Sequence, residues 1–236
     1  MILYVNGDSH TAAAEAVNSY AFAEDDFKFI HLGRRPHPAN LEVSWGQQLA
    51  DLLGARFTCD AESAGSNKRI IRTTRDWISK QSQSSLIDAL VILQWSTWER
   101  EEWQDTDGTW YQVNASGIDI VPKHMQDRYR QFVINVNWNK CTAMAHSEIW
   151  AFHQELAQQN IKHIFFNGNN DFSKINNKFD WGDSYIGPYD STQTYNSLLK
   201  SNDHLTICPD SWHFGENAHC FWAKHMLQYI VDNKLI

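Results

Sequence analysis

Short runs of apolar residues alternate along the chain with stretches that repeat apolar positions every three or four residues. The runs Ile2–Val5, Ala89–Trp95 and His163–Asn167 are predicted as strands, and the continuous apolar run Ala89–Trp95 is of the kind buried on both faces of a parallel sheet. The stretches Glu42–Leu53 and Glu216–Val231 instead place their apolar side chains on one side of a helix. Strands that alternate with helices in this way are typical of a parallel sheet covered on both faces.

Weaker patterns complete the set of predicted elements. Arg56–Cys59 and Leu205–Cys208 are predicted as strands, which gives a sheet of about five. Asp107-Gly108 lies between aromatic-rich flanks and predicts a β-hairpin within Trp103–Val113. Further helices are predicted at Asn67–Lys80, Lys123–Ile134 and Thr142–Gln158.

The sequence contains no internal repeat, low-complexity tract or linker rich in proline, glycine and serine. We therefore predict a single domain over residues 1–236. Its fold class is α/β, with three α/β/α layers around a doubly wound parallel sheet and a β-hairpin inserted after the third strand.

Composition narrows the classes of partner. The net charge is −8 and no cluster of lysine and arginine stands out, which argues against binding to nucleic acid. The longest apolar runs are far shorter than the roughly 20 residues needed to cross a bilayer. The first residues lack the basic and apolar segments of a signal peptide, so we expect a cytoplasmic protein with no membrane segment. The four scattered cysteines predict free thiols: Cys59, Cys141, Cys208 and Cys220.

Polar residues follow each predicted strand, where the carboxyl ends of parallel strands meet at one edge of the sheet. These loops are Gly7–His10, Ser63–Asn67, Gln94–Glu99, Asn167–Asp171 and Asp210–His213. A serine becomes a nucleophile when a base takes its proton and a third group orients that base. Ser9 follows a glycine turn, and Asp210 and His213 are three positions apart, so the sequence predicts a Ser–His–Asp triad.

These residues resemble the blocks of the SGNH (GDSL-type) hydrolases. The resemblance spans nearly the whole chain, in the family's order, through Gly7-Asp8-Ser9, the helix-like segment Ser44–Gly54, Gly65, and Asp210-x-x-His213-Phe214 with the following His219, Trp222 and Ala223. It implies a flavodoxin-like topology and a serine esterase that acts without metal or other cofactor on small acyl esters, lipids or acetylated sugars. Carried over residue by residue, it makes Ser9 the nucleophile, His213 the base and Asp210 its orienting partner. The N–H groups of Ser9 and Gly65 would contribute to the oxyanion hole.

One block departs from the family. The family has Gly-x-Asn-Asp after the third strand, and its Asn donates to the oxyanion. Here Ser96-Thr97-Trp98-Glu99 stands there, so that Trp98 replaces the Asn. Asn67, two residues after Gly65, is the candidate substitute for the missing donor. The departure puts the rate of catalysis, and catalysis itself, in question.

Other side chains near the predicted cleft have a functional and a structural interpretation. Trp95, Trp98 and Trp212 are candidates to line a pocket for an acyl group or a sugar. His219 falls on the last helix and is predicted to be a packed structural histidine. Arg100 and its acidic neighbours are predicted to form a solvated charge cluster or a local knot of salt bridges.

Two alternatives to the esterase remain. The altered third block favours a non-catalytic SGNH-fold protein that binds acylated glycans or a partner. The stretch Gly7–Asp26 also resembles segments of phage-encoded SGNH-like proteins, which implies a virion-associated role. A binuclear metallophosphoesterase is the less favoured alternative. Asp8-x-His10 and Gly168-Asn169-Asn170-Asp171 resemble its metal-binding motifs, but Asn170 stands where a histidine is normal. The partner we expect is a small-molecule or glycan ester, and the oligomeric state is left open.

Overall fold

A parallel sheet forms the centre of the molecule. The computed structural model describes residues 1–20, 36–115 and 117–236, so the predicted phage-like stretch lies outside it beyond residue 20. Within this part, four strands pair in parallel in the order β2-β1-β3-β6. They are β1 Ile2–Asn6, β2 Arg56–Cys59, β3 Ala89–Trp95 and β6 Lys162–Asn167, while β4 Glu101–Gln104 and β5 Trp110–Val113 form a separate antiparallel hairpin.

Helices cover both faces of the sheet, because successive strand side chains point to opposite sides. Leu3 and Val5 of β1 belong to one apolar cluster, and Ile2 and Tyr4 to the other. The first cluster includes side chains of α2 Trp45–Leu53, α7 Tyr195–Ser201 and α8 Glu216–Asp232, and the second those of α3 Asn67–Ser79, α4 Gln83–Ile87 and α6 Trp138–Gln158. The predicted three-layer α/β/α class is thereby confirmed.

The predicted hairpin is confirmed as an insertion after β3. It packs with α5 Gln126–Asn135 around a small apolar cluster that includes Trp103, Tyr111 and Tyr129. Among the described α-helices, the short ones α1 Pro38–Glu42, α4 and α7 were not predicted from the sequence pattern.

The fifth strand predicted at Leu205–Cys208 is wrong. Leu205 is 85% exposed, and Thr206 forms only an isolated antiparallel bridge with Phe214. The free edge of β6 is met instead by the segment at Tyr185, which forms a parallel bridge with Phe165. The apolar residues of Leu205–Cys208, just before Pro209, therefore predicted a strand that the sheet does not contain.

Local signals set where the helices begin and end. The Ser66 hydroxyl accepts a hydrogen bond from Arg69 N–H, which caps α3 and places Asn67 at its first position. Gly54 ends α2 in the left-handed conformation that glycine adopts without strain.

The strand order reverses between β1 and β3, and the crevice beyond the carboxyl ends of such strands is where α/β proteins bind ligands.

No helix in the described ranges is long and apolar enough to cross a membrane. All four cysteines are unpaired.

Candidate active site

Asp8 joins the loop after β1 to the end of β3. Its carboxylate is 1% exposed and accepts hydrogen bonds of 2.7–3.1 Å from four donors, namely His10 N–H and the side chains of Gln94, Ser96 and Arg100. Burial alone raises the pKa of Asp8, but the electrostatic effect of His10 and Arg100 and the hydrogen bonds outweigh it and lower the pKa. Asp8 is therefore ionised at neutral pH and fixes the loop that carries Ser9.

Ser9 begins a tight turn whose backbone is held by its neighbours. The Ser9 carbonyl accepts from Ala14 N–H at 2.9 Å, and the Asp8 carbonyl accepts from Ala12 N–H at 3.0 Å. Ser9 is 8% exposed. Neither its hydroxyl nor its N–H is hydrogen-bonded to another residue in the described part of the chain.

His213 comes to the same region from the other end of the chain. Its ring centroid lies 5.7 Å from that of His10, the residue after Ser9. Its Nδ1 lies 2.7 Å from Oε2 of Glu15. Among the described residues no hydrogen bond joins Ser9 directly to His213, a contact that often forms only when substrate is bound. The structure thus brings Ser9 and His213 into one neighbourhood, with the His213 Nε2 unengaged by any described residue.

Asp210 is not brought to His213. The Ile207 N–H donates to the His213 carbonyl at 2.9 Å, which closes a loop with Asp210 at its midpoint. Asp210 is exposed there and borders an open cleft of about 490 Å³ with Lys200 and Trp212. The described residues provide no hydrogen bond or ion pair to its carboxylate. The role predicted for Asp210 therefore lacks the contact it requires.

The predicted oxyanion donors are only partly available. The Gly65 N–H donates to the Glu62 carbonyl at 2.9 Å, and the Glu62 N–H donates to the Gly7 carbonyl at 3.2 Å. The Gly65 N–H is thus engaged within its own turn. The Asn67 side chain accepts from Ser96 N–H at 2.8 Å and donates to the Ser96 carbonyl at 3.4 Å, which holds its amide at the end of β3.

The three candidate pocket tryptophans lie in different environments. Trp95 is fully buried edge-on against Phe165 in the core, so the structure does not support it as a pocket residue. Trp98 is 6% exposed and stacks on Phe172 with centroids 4.7 Å apart, so its ring is mostly core. Trp212 is 70% exposed beside the cleft, with Lys200 Nζ 5.8 Å from its ring centroid, and is the most accessible of the three rings.

Two further histidines near the site are buried. His10 Nε2 lies 3.1 Å from the Asn196 amide nitrogen, and burial lowers the pKa of His10 to about 4. Nδ1 of His10 is buried without a hydrogen-bond partner among the described residues. His219 accepts from Trp45 N–H at 3.3 Å, and burial lowers its pKa to about 3. His10 and His219 are therefore neutral at pH 7, and the prediction that His219 is a packed structural residue is confirmed.

The sequence patterns did not single out Glu15, and they did not predict that Gln94 and Arg100 contact Asp8. Arg100 was predicted to join its acidic neighbours in a solvated cluster or a local group of salt bridges, but its guanidinium instead reaches the buried carboxylate of the distant Asp8 at 3.1 Å. Gln94 donates to Asp8 and accepts from the Thr11 hydroxyl at 2.7 Å. The one available signal for Glu15 is a single acid within the small-residue run Thr11–Ala16.

No group of three or more histidine, cysteine, aspartate or glutamate side chains within the described ranges is arranged to hold a metal ion. The two-metal alternative therefore has no ligand set in this part of the chain.

Comparison by sequence gives one partial match. Residues 36–146, just under half of the chain, match the model of DUF6071, a family of unknown function. A comparison with curated proteins finds no significant match. Sequence similarity therefore leaves the activity open.

Comparison by structure gives distant similarities. An acetyl xylan esterase, Est2A from Butyrivibrio proteoclasticus, is 13% identical with a TM-score of 0.50 over 98% of this chain and 63% of its own. LAE5, an alpha/beta hydrolase from the metagenome of Lake Arreo, is 13% identical with a TM-score of 0.46, over 96% and 93% of the two chains. A G-D-S-L family lipolytic protein from Desulfitobacterium hafniense is 11% identical with a TM-score of 0.40, over 97% and 99%. This chain spans less than two thirds of Est2A, with which it shares the α/β fold.

Proposed function

We propose that this protein is a serine esterase that hydrolyses carboxylic esters through an acyl-enzyme intermediate on Ser9. The observation that carries the proposal is the approach of His213, from near the C-terminus, to the loop of Ser9, with its ring 5.7 Å from that of the adjacent His10. The crevice between β1 and β3 is the place where a parallel sheet of this strand order binds ligands. The fold shared with an acetyl xylan esterase agrees with this chemistry.

The reaction follows from the roles of two side chains. His213 takes the proton of the Ser9 hydroxyl as its oxygen attacks the ester carbon, and the carbonyl oxygen becomes an oxyanion. Collapse of this intermediate breaks the bond to the alcohol, which leaves with the proton from His213. His213 then takes a proton from a water molecule that attacks the acyl-Ser9 ester. As the acid is released, His213 returns this proton to the Ser9 oxygen and restores the free enzyme.

The oxyanion needs donors that the third block does not supply. The Ser9 N–H, which has no partner among the described residues, is the first donor we propose. The Asn67 amide is the second, because it stands at the end of β3 near the place of the missing asparagine. Gly65 contributes its N–H only if the bond to the Glu62 carbonyl opens. Each such donor contributes roughly 3 kcal/mol to transition-state stabilisation in other enzymes.

The substrate class we propose is a small acyl ester, with acetylated glycans as the leading candidates. Trp212 presents an exposed ring beside the cleft, and exposed indole faces stack well on sugar rings. The similar structure of an acetyl xylan esterase favours the same class. With a net charge of −8, nucleic acid is not a partner that we propose.

Hydrolysis of p-nitrophenyl acetate and of acetylated xylan tests the proposal. Ser9→Ala and His213→Ala should each lose on the order of 10³-fold or more in kcat/KM. Ser147→Ala, which removes an exposed hydroxyl on α6, should leave the rate unchanged. Equal rates for wild type and Ser9→Ala would refute the serine mechanism, and loss of activity with a chelator would favour a metal enzyme.

A non-catalytic binding protein is the second candidate, favoured by two observations. Trp98 replaces the asparagine donor and its ring is packed on Phe172, while the Gly65 N–H is engaged in its turn. On this account, wild type binds acetylated oligosaccharide in calorimetry but does not hydrolyse it. A virion-associated setting belongs to this second candidate.

A further inference from the structure

We propose that Glu15, and not Asp210, is the positioning residue that orients His213. This inference rests on the esterase proposed above. Oε2 of Glu15 lies 2.7 Å from Nδ1 of His213, a length typical of a charge-assisted hydrogen bond. An orienting carboxylate on Nδ1 keeps the proton there, so that the other ring nitrogen, Nε2, is free to accept the proton of the nucleophile.

A serine ties the carboxylate and the histidine loop together. The Ser211 hydroxyl donates to the same Glu15 oxygen at 3.0 Å and accepts from the His213 backbone N–H at 3.0 Å. Partial burial by itself raises the pKa of Glu15, but the hydrogen bonds from His213 and Ser211 outweigh it and lower the pKa. Glu15 is therefore ionised at neutral pH and can stabilise an imidazolium on His213.

The backbone at Glu15 is held in an unusual conformation. Its φ is 64°, and that of Ala13 is 51°, in the left-handed region that residues other than glycine rarely adopt. Such conformations persist where the surrounding structure enforces them, and they concentrate at functional sites. Here the turn puts Ser9 and Glu15 on one short loop, so the proposed nucleophile and the proposed orienting acid are separated by five residues only.

The residue expected from the motif has no comparable position. Asp210 is exposed at the midpoint of its loop, on the side of the cleft that Lys200 and Trp212 border. Its carboxylate makes no hydrogen bond or ion pair within the described ranges. The Asp-x-x-His spacing is present, but the acid contact to the histidine is made by Glu15.

The first test is the rate of labelling by a fluorophosphonate between about pH 5 and pH 9. Glu15→Gln should slow labelling on the order of 10²-fold or more near neutrality, because a neutral partner permits the wrong tautomer. Glu15→Asp should restore part of the rate, and the matched control Asp210→Asn should label within about twofold of wild type.

The two buried histidines near His213 stay neutral across that range, so neither adds a step to the labelling profile. Burial lowers the pKa of His10 to about 4 and that of His219 to about 3. The charged groups Lys200 and Asp210 line the open side of the loop, and the Asp210→Asn variant controls for the carboxylate. Circular dichroism and thermal unfolding of each variant exclude loss of the fold as the cause of slower labelling.

A second measurement does not depend on catalysis. In a proton NMR spectrum at low temperature, the His213 Nδ1 proton should resonate far downfield in wild type and in Asp210→Asn, and this signal should be lost in Glu15→Gln. Loss of the signal in Asp210→Asn, with Glu15→Gln unchanged, would overturn the inference. If the signal depends on Glu15 but the wild-type protein is never labelled, the contact between Glu15 and His213 stands and the proposed esterase is refuted.

Discussion

Two carboxylates on the first loop differ in what surrounds them. The Asp8 carboxylate is buried and accepts four hydrogen bonds, most of them from residues at the end of β3 and just after it. The Glu15 carboxylate is partly exposed and contacts His213. A carboxylate whose oxygens are fully hydrogen-bonded fixes geometry but does not exchange protons at neutral pH. We therefore assign Asp8 to holding the Ser9 loop, and Glu15 to His213.

Asp8→Asn should lower the free energy of unfolding by about 3 kcal/mol at pH 7, because it leaves Arg100 facing a neutral group. The folded pKa of Asp8 lies below the ordinary value of 3.8, so its contribution is complete above about pH 4 and is lost as the pH falls further. The difference from wild type in denaturant unfolding should accordingly shrink below that pH.

The matched control is Asp76→Asn, which removes an exposed carboxylate 3.8 Å from Arg72 and should cost less than about 1 kcal/mol. Equal losses for the two variants would contradict a buried anchoring role for Asp8.

The motifs point to Ser9 and His213 as candidate residues, but not to the residues that contact them or their loops. Arg100 contacts a residue 92 positions away, and Glu15 one 198 positions away. Contacts at such separations depend on how the strands pair, which no local pattern encodes. The acid three positions before His213 was predicted from spacing alone, and spacing does not determine which way a loop side chain points.

At the level of elements, the site depends on close approach between the first loop and β3. A Cβ added at Gly7 would lie 2.5 Å from Thr11 Oγ1 and 2.9 Å from Gln94 Cβ. The same Gln94 side chain would lie 2.5 Å from a Cβ at Gly168, after β6. The glycines thus let the loops after β1 and β6 close on β3.

Gly7→Ala should destabilise the protein by about 1–3 kcal/mol, because Thr11 and Gln94 have to move. Gly117→Ala is the control, since its backbone is extended and no atom lies within 4 Å of the added Cβ. Thermal unfolding checks both, and a Gly7→Ala protein as stable as the control would show that this packing is not tight.

Most of the main elements were predictable from apolar periodicity, because the buried strands and the helical stripes carry strong local signals. β3 was predicted at its observed bounds, Ala89–Trp95. Leu205–Cys208 failed because its side chains are largely exposed and the edge of β6 is met by Tyr185 instead. Short helices such as α7 were missed since seven residues give too few turns for a periodic pattern.

At the scale of the whole molecule, the parallel sheet brings the two ends of the chain together. β1 lies between β2 and β3, so the loop that carries Ser9 opens at the centre of the sheet edge. The last helix packs on the same face as α2, and the segment before it delivers His213 to that loop. Ser9 and His213, which most of the sequence separates, thus lie in one neighbourhood.

The central claim, an activated serine at residue 9, is tested most directly by covalent labelling. Wild type, Ser9→Ala and His213→Ala are incubated with a fluorophosphonate and examined by intact mass and peptide mapping. The account predicts a single adduct on Ser9 in wild type and no adduct in either variant. A well-folded wild type that stays unlabelled, or an adduct that persists in Ser9→Ala, would contradict it.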